Sequence, residues 1–474
     1  MIPDTSLSLL TDLYQITMAY GYWKTGIAER PAVFHLFYRK NPFGNPYTIA
    51  CGLELAAQWL SQFRFTADDV QYLGSLKGAD GKNLFDESFL NYLQRMRFSC
   101  DIDAIPEGTI SLPNEPLLRV QGPLIQAQLI ETALLNIINF SSLIATKASR
   151  IVQAAGDDSV LEFGLRRAQG MDGGLSASRA AYIGGCAASS NVLAGKRYGV
   201  PIRGTHAHSW VMCFDNEAEA FARYAEVMPN NCIFLVDTYN TIEGVRHAIA
   251  EADRLKARGH RLLGIRLDSG DLAALSIAAR NMLDEAGLPE VAIVASDDLD
   301  EHRIAALKAQ GAKINIWGVG TRLVTAYDQP ALGGVYKLAA IQDEQGVWQH
   351  KIKLSEQPIK ISNPGILDTL RIYDTNGKPV ADAICTVDEP QHTIEIVKES
   401  DATVHRFNTQ GAQNLLVPVF RKGAQVLHFP SIHETRAHCL AQQQLFSDVD
   451  WSSYVLGLER KVYDLKRELV EGLR

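Results

Sequence analysis

The sequence predicts an α/β fold built on a parallel sheet, and two observations carry that prediction. Short apolar runs that end in small or polar residues recur seven times between residues 160 and 320, and helix-forming stretches fill the gaps between them. Runs that are apolar at successive positions are what parallel strands buried on both faces require. Strand–helix alternation at this spacing gives a parallel sheet or barrel. Seven units favour an α/β barrel, whose active groups stand at the C-terminal ends of the strands.

The runs are, in order, Val160–Gly164, a weaker Tyr182–Gly185, Pro201–Thr205, Cys232–Asp237, Leu263–Gly270, Ala292–Asp297 and Ile314–Gly320. Between them, Ile242–Arg258 and Leu272–Ala286 are good helix formers. The flanks read differently. Residues 1–115 mix a helix, Leu9–Tyr22, with a strand-like Ala32–Tyr38. The region after residue 345 holds Pro- and Gly-rich loops, a short strand Thr393–Val397 and a closing amphipathic helix, Ser453–Leu473. The expected division is therefore an N-terminal part (1–115), an α/β catalytic domain (116–342) and a C-terminal part (343–474). The two flanks pack together as one smaller, discontinuous α+β domain.

The 474 residues are 46% hydrophobic and 21% charged, with a net charge of −8. That is an ordinary soluble composition with nothing to favour nucleic acid or acidic membranes. The seven cysteines are scattered and form no Cys-x-x-Cys pair, which suits reduced thiols in a cytoplasm. No apolar stretch approaches the ~20 residues of a membrane span. The opening residues carry Asp4 and no basic segment, so they do not read as a secretory signal.

The densest chemistry lies at the strand ends. His208, within Gly204-Thr205-His206-Ala207-His208-Ser209-Trp210, places a titratable imidazole just past a strand. There it can act as acid, base or nucleophile near neutral pH. Asp237, Asp268 and Asp297 each follow an apolar run. A carboxylate there must be hydrated, paired or metal-bound. In Arg266-Leu267-Asp268-Ser269-Gly270-Asp271, strand alternation puts Arg266 and Asp268 on one face. Ser269 and Gly270 form a turn fit for sugar or phosphate, while Asp271 reads as a helix cap. Trp317-Gly318-Val319-Gly320-Thr321 is a glycine-rich strand exit of the kind that lets backbone approach a phosphate. Without a third glycine it is not a dinucleotide fingerprint, and no GxxxxGK[ST] occurs. Glu162-Phe163-Gly164-Leu165-Arg166-Arg167 sets two guanidiniums after a strand, suited to carboxylate or phosphate. His206 and His208 also admit a barrel metallohydrolase, but no further histidine stands at another strand end to complete a zinc site. His206 reads as a structural imidazole, and no residue is assigned as a metal ligand.

Taken with Thr11-Asp12-Leu13-Tyr14-Gln15, FYRKNPF (37–43) and GGVYKL (333–338), the segments EFGLRR, SSNVLAG, GTHAHSW, RLDSGDL and GVGT resemble the nicotinate phosphoribosyltransferase family. The resemblance implies an irregular α/β barrel with a smaller domain from both chain ends, and a homodimer with shared active sites. It implies transfer of phosphoribosyl from phosphoribosyl pyrophosphate to nicotinate in NAD salvage, giving nicotinate mononucleotide and pyrophosphate. Mg²⁺ and coupled ATP hydrolysis, the latter making the enzyme a ligase, come with it. His208 would be phosphorylated by ATP. Phe163 and the partner's copy of Tyr14 would stack on the pyridine ring, with Asp12 beside them. Arg166 would meet carboxylate or phosphate, Asp268 the ribose hydroxyls, and Gly318, Gly320 and Thr321 the 5′-phosphate. Thr205, Arg266 and Ser269 complete the expected substrate-binding set.

One stretch departs from the family pattern. Where relatives carry an aromatic-Asp-Gly-Thr sequence, this chain reads Gly185-Cys186-Ala187-Ala188-Ser189 before Ser190-Asn191. Ser190 and Asn191 offer neutral donors, and an anionic nicotinate is tolerated by serine where an aspartate would repel it. The alternatives are a nicotinamide-preferring transferase, the metallohydrolase, and a non-catalytic nucleotide-binding relative.

Overall fold

The computed structural model describes residues 7–387 and 392–473, so the segment containing Asp4 lies outside the described residues. The chain forms two compact units, residues 144–330 and the described parts of 1–143 and 331–474.

The unit 144–330 is built on six parallel strands: β1 (Ser159–Glu162), β2 (Ala188–Ser189), β3 (Ile233–Leu235), β4 (Gly264–Leu267), β5 (Ala292–Ala295) and β6 (Ile316–Val319). Their order across the sheet is β2-β1-β6-β5-β4-β3, every pairing being parallel. Phe234, Ile265, Ile293 and Trp317 are fully buried, which explains the unbroken apolar runs. Helices Thr241–Ala257, Leu272–Glu285 and Glu301–Ala309 connect successive strands. Asn240, Asp271 and Asp300 cap these helices, each accepting a backbone N–H three residues on.

Two expectations for this sheet change. Residues 182–185 are not a strand. Tyr182 and Ile183 end helix Gly170–Ile183, and a Cβ on Gly184 would sit 2.3 Å from the Ala145 carbonyl oxygen, so helix packing takes that segment. Residues 201–205 supply only an isolated bridge, Ile202 to Ser189, instead of a strand. The backbone ladder consequently runs from that bridge to β3 as an open, curled sheet, and no pairing among the described residues closes it into a barrel.

Among the described residues, the other unit holds a seven-stranded antiparallel sheet, a six-stranded mixed one and a two-stranded antiparallel one. In the first, strand Pro31–Tyr38 lies between Leu118–Pro123 and Gly334–Gln342. This moves the domain limits inward from the expected 116 and 342, because both neighbours hydrogen-bond into the antiparallel sheet. In the second, Thr393–Val397 matches the expected strand residue for residue. The expected closing helix begins only at Arg460. Val455–Glu459 is a strand whose buried Val455 and Leu458 pack in the sheet interior. No helix among the described residues is long and apolar enough to cross a membrane.

Candidate active site

A cavity of about 450 Å³ opens at the C-terminal ends of β1, β4, β5 and β6. Of the expected residues it is lined by Phe163, Arg166, Arg266, Asp268, Gly318, Gly320 and Thr321. Arg167, Ser296, Asp297, Asp298 and Tyr327 complete the lining.

Arg266 organises one wall. It projects from β4, one residue before the strand end, and its Nε meets Ser296 Oγ at 2.8 Å. Its two terminal nitrogens donate to Thr205 Oγ1 at 3.1 Å and Asp268 Oδ1 at 2.8 Å. The guanidinium lies 5.8 Å from the centre of the Phe163 ring, a cation–π distance. Asp268 also accepts a short hydrogen bond from Ser296 Oγ. Burial pulls the Asp268 carboxyl up, but the Ser296 hydroxyl and the Arg266 charge outweigh it and hold the group below its ordinary value. Asp268 therefore stays ionised while it faces the cavity.

Asp237 serves from behind. Its Oδ2 accepts the Asp268 backbone N–H at 2.9 Å and the Ser269 hydroxyl at 2.6 Å, which fixes the turn after β4. Ser269 is thus engaged with Asp237. Asp297 and Asp298, after β5, adopt φ of 101° and 47°. Left-handed backbone at two successive non-glycine residues is uncommon and concentrates where function demands it. Arg303 holds the first, donating to Asp297 O at 2.6 Å and Oδ2 at 2.8 Å.

Phe163 is seated by its glycine neighbours. A Cβ on Gly318 would stand 2.7 Å from the Phe163 ring, and one on Gly164 would stand 1.5 Å from Val324. The glycine-rich exit of β6 thus makes room for an aromatic ring as well as lining the cavity. Arg166 and Arg167 are both exposed on the short turn Leu165–Arg167 and both line the cavity.

The two histidines separate sharply. His206 is buried against Phe221, Tyr224 and Phe234. The Leu235 N–H donates to its Nε2 at 3.3 Å, which leaves Nδ1 to donate to Ala207 O at 3.3 Å. Burial pushes its pKa down to about 4. With both nitrogens engaged by backbone, His206 has no lone pair for a metal, and the paired-histidine metallohydrolase site is not formed. His208 is 41% exposed, with Nδ1 3.1 Å from Thr238 Oγ1 and Nε2 3.7 Å from Asp268 Oδ2.

The divergent stretch 185–191 has structural work. Glu162, 1% exposed, accepts from the Ser178 and Ser189 hydroxyls at 2.8 and 2.6 Å and from the Gly164 N–H. Asn191 caps helix Val192–Tyr198 and donates to Ser178 Oγ at 3.1 Å, so its amide is not the free donor expected. Ser190 is half-buried, and its N–H donates to Glu162 O at 3.0 Å. Asp12 and Tyr14 belong to the other unit. Asp12 starts helix Leu13–Lys24 and accepts from Thr132 Oγ1 at 3.2 Å, and Tyr14 is 48% exposed.

Sequence reasoning missed Ser296, Asp298, Tyr327 and the supporting role of Thr238. Asp298 and Tyr327 carry no local motif. Ser296 follows β5 as Asp268 follows β4, and that equivalence was available.

The chain matches the model of the nicotinate phosphoribosyltransferase family over residues 159–408, and those of the family's N-terminal and C-terminal domains over 9–139 and 368–450. It is 47% identical to the nicotinate phosphoribosyltransferase of Bacillus subtilis, across 92% of this chain and 88% of that protein. Identity to the Homo sapiens nicotinate phosphoribosyltransferase is 38%, across 81% and 80%. The crystal structure of human nicotinic acid phosphoribosyltransferase aligns with a TM-score of 0.85 at 32% identity, covering 97% of this chain and 99% of that one.

Proposed function

The chain belongs to the nicotinate phosphoribosyltransferase family, and from that premise we propose that the strand-end cavity transfers phosphoribosyl from phosphoribosyl pyrophosphate to nicotinate, in NAD salvage. The observation that carries this reading is the Arg266–Asp268–Ser296 cluster facing Phe163 across one cavity with Arg166 and Arg167.

Displacing pyrophosphate from C1 of ribose builds positive charge on the sugar. The ionised Asp268 is placed to stabilise that charge and to hold ribose hydroxyls. The pyridine nitrogen is already nucleophilic, so positioning supplies much of the rate. Phe163 offers a ring face to the base. Arg166 and Arg167 attract the anionic carboxylate and phosphates. Gly318, Gly320 and Thr321 face the 5′-phosphate, and Thr205 and Ser269 hold Arg266 and the turn after β4 in place.

Mg²⁺ binds through one or two carboxylates and completes its shell with substrate phosphates. Asp268, Asp297 and Asp298 line the cavity, but each is paired with an arginine and no three candidate ligands converge on a metal position among the described residues, so Mg²⁺ would be carried mainly by the substrate's phosphates. When bound it neutralises the leaving pyrophosphate. His208, partly exposed beside Asp268, is the group we assign as phosphoryl acceptor from ATP, which makes the enzyme an ATP-coupled ligase. A phosphate there adds negative charge that orders the neighbouring loops. We further propose a cytoplasmic homodimer in which Asp12 and Tyr14 of one copy serve the site of the other. The parallel sheet, with the Ile202 bridge as a seventh position, is read as an open-sided barrel.

The test mixes purified protein with phosphoribosyl pyrophosphate, Mg²⁺ and nicotinate or nicotinamide, with and without ATP. Nicotinate mononucleotide, stimulated by ATP, is expected. Product from nicotinamide alone would overturn the base preference. His208→Ala should abolish ATP hydrolysis and stimulation while leaving slow transfer, and unchanged coupling would sink the phosphohistidine assignment.

A further inference from the structure

Lys147, on helix Glu131–Ala155, has a side chain with no exposure. Its Nζ lies 2.9 Å from Glu301 Oε1 and 2.7 Å from Oε2, and it also pairs closely with Asp328 Oδ2. Arg150 Nε reaches the same Glu301 Oε1 at 2.8 Å. A buried ammonium is costly unless carboxylates surround it. The two carboxylates it holds belong to the two segments that carry one side of the cavity. Glu301 opens helix Glu301–Ala309 directly after the strained Asp297–Asp298 turn. Asp328 follows Tyr327, at the end of the segment that begins with Thr321.

A second tie joins the same segments. Arg322 Nε meets Asp298 Oδ2 at 3.2 Å and its NH1 meets Asp300 Oδ2 at 3.1 Å. Its guanidinium stands 4.6 Å from the centre of the Tyr327 ring. Residues 297–301 and 321–328 are therefore linked twice, by half-exposed Arg322 and by fully buried Lys147. Backbone pairing of β5 with β6 covers only Val294–Ala295 against Ile316–Trp317, so these two ionic links hold the segments beyond the ladder.

We propose that Lys147 is a positioning residue for the transfer reaction: by holding Glu301 and Asp328 together it sets the spacing between the Asp297–Asp298 turn and the Thr321–Tyr327 segment across the phosphate-facing cavity. Lys147 acts through these residues and does not itself line the cavity. The inference rests on the reading that this cavity takes phosphoribosyl pyrophosphate.

The experiment measures KM and kcat for phosphoribosyl pyrophosphate, with melting temperature, in Lys147→Met, Asp328→Asn and Asp328→Glu. Asp328 is partly exposed, so Asp328→Asn removes one arm of the brace from a folded protein even if Lys147→Met fails to fold. A misplacement of the order of 1 Å costs up to about 10²-fold in kcat/KM. The expected result is a KM raised about tenfold in Asp328→Asn, kcat changed much less, the KM restored in Asp328→Glu, and a larger KM rise in folded Lys147→Met. A wild-type KM in Asp328→Asn, or a KM rise in Asp328→Glu equal to that in Asp328→Asn, would overturn the proposal. Wild-type protein that neither binds nor consumes phosphoribosyl pyrophosphate would overturn the cavity reading itself.

Discussion

Two arginine–aspartate pairs in this molecule share the same chemistry and differ in everything around it. Arg371 and Asp382, on neighbouring strands of the mixed sheet, form a bidentate pair at 2.9 and 2.7 Å with side chains 1% and 0% exposed. The guanidinium also donates to Ile110 O and covers the Phe446 ring. Arg266 and Asp268 meet through one bond at 2.8 Å, 17% and 30% exposed, at the mouth of a cavity. The first pair is enclosed by protein and serves the fold. The second shares its atoms with Ser296, Thr205 and His208 and keeps a face toward whatever enters. An ion pair is evidence of function when it lies at a strand end beside a cavity with a carboxylate held ionised, and of architecture when it is sealed.

The comparison breaks most directly at the sealed pair. Asp382→Ala leaves a buried arginine without its partner and should cost about 3–5 kcal/mol of stability. Urea unfolding checks this. The double change Arg371→Met with Asp382→Leu should recover only part of the loss, because buried Glu115 and Tyr454 then lose Asp382 as a neighbour. At the cavity pair the effect should move from stability to rate. Asp268→Asn should lower kcat by about 10²–10³, the order seen when one electrostatic stabiliser is removed, with a melting temperature near that of wild type. A Tm loss matching that of Asp382→Ala would erase the distinction. A smaller change sharpens the cavity side: Gly318→Ala pushes a methyl against the Phe163 ring and should lower kcat/KM for nicotinate by up to about 10²-fold. Steady-state kinetics against both substrates locates the effect on the base.

The histidines repeat the contrast on a smaller scale and give a pH signature. His206 is depressed to about 4 from an ordinary value near 6.5. Its contribution to stability is complete above about pH 6.5 and is lost as pH falls toward 4, because protons bind the unfolded chain first. His206→Phe should flatten that part of the acid limb in calorimetric melts between pH 7 and 4.5, and an unaltered limb would show that other groups set it.

Much of the α/β unit was legible because its signal is local. Cys232–Asp237, Leu263–Gly270, Ala292–Asp297 and Ile314–Gly320 all became strands within a few residues of the expected limits. Apolar continuity and the cap Asp271 are written in consecutive residues. Residues 182–185 and 201–205 misled because an apolar tetrapeptide serves a buried helix end as well as a strand. The limits at 116 and 342 moved because strands 118–123 and 334–342 find partners far away in sequence. In the site, Arg266 with Asp268 followed from strand alternation, whereas Asn191 looked like a free donor until the helix it caps and the Ser178 hydroxyl beside it were seen.

The sequence by itself determined the parallel sheet and the identity of the acidic and glycine-rich strand ends, since each depends on residue type and short spacing. Only the tertiary structure decided which of those strand ends share one cavity, that Asp237 supports Asp268 from behind, and that a buried lysine at position 147 ties two cavity segments together. Those facts join residues 30 to 181 positions apart, and at that separation contact is set by sheet order and packing, which no local pattern encodes.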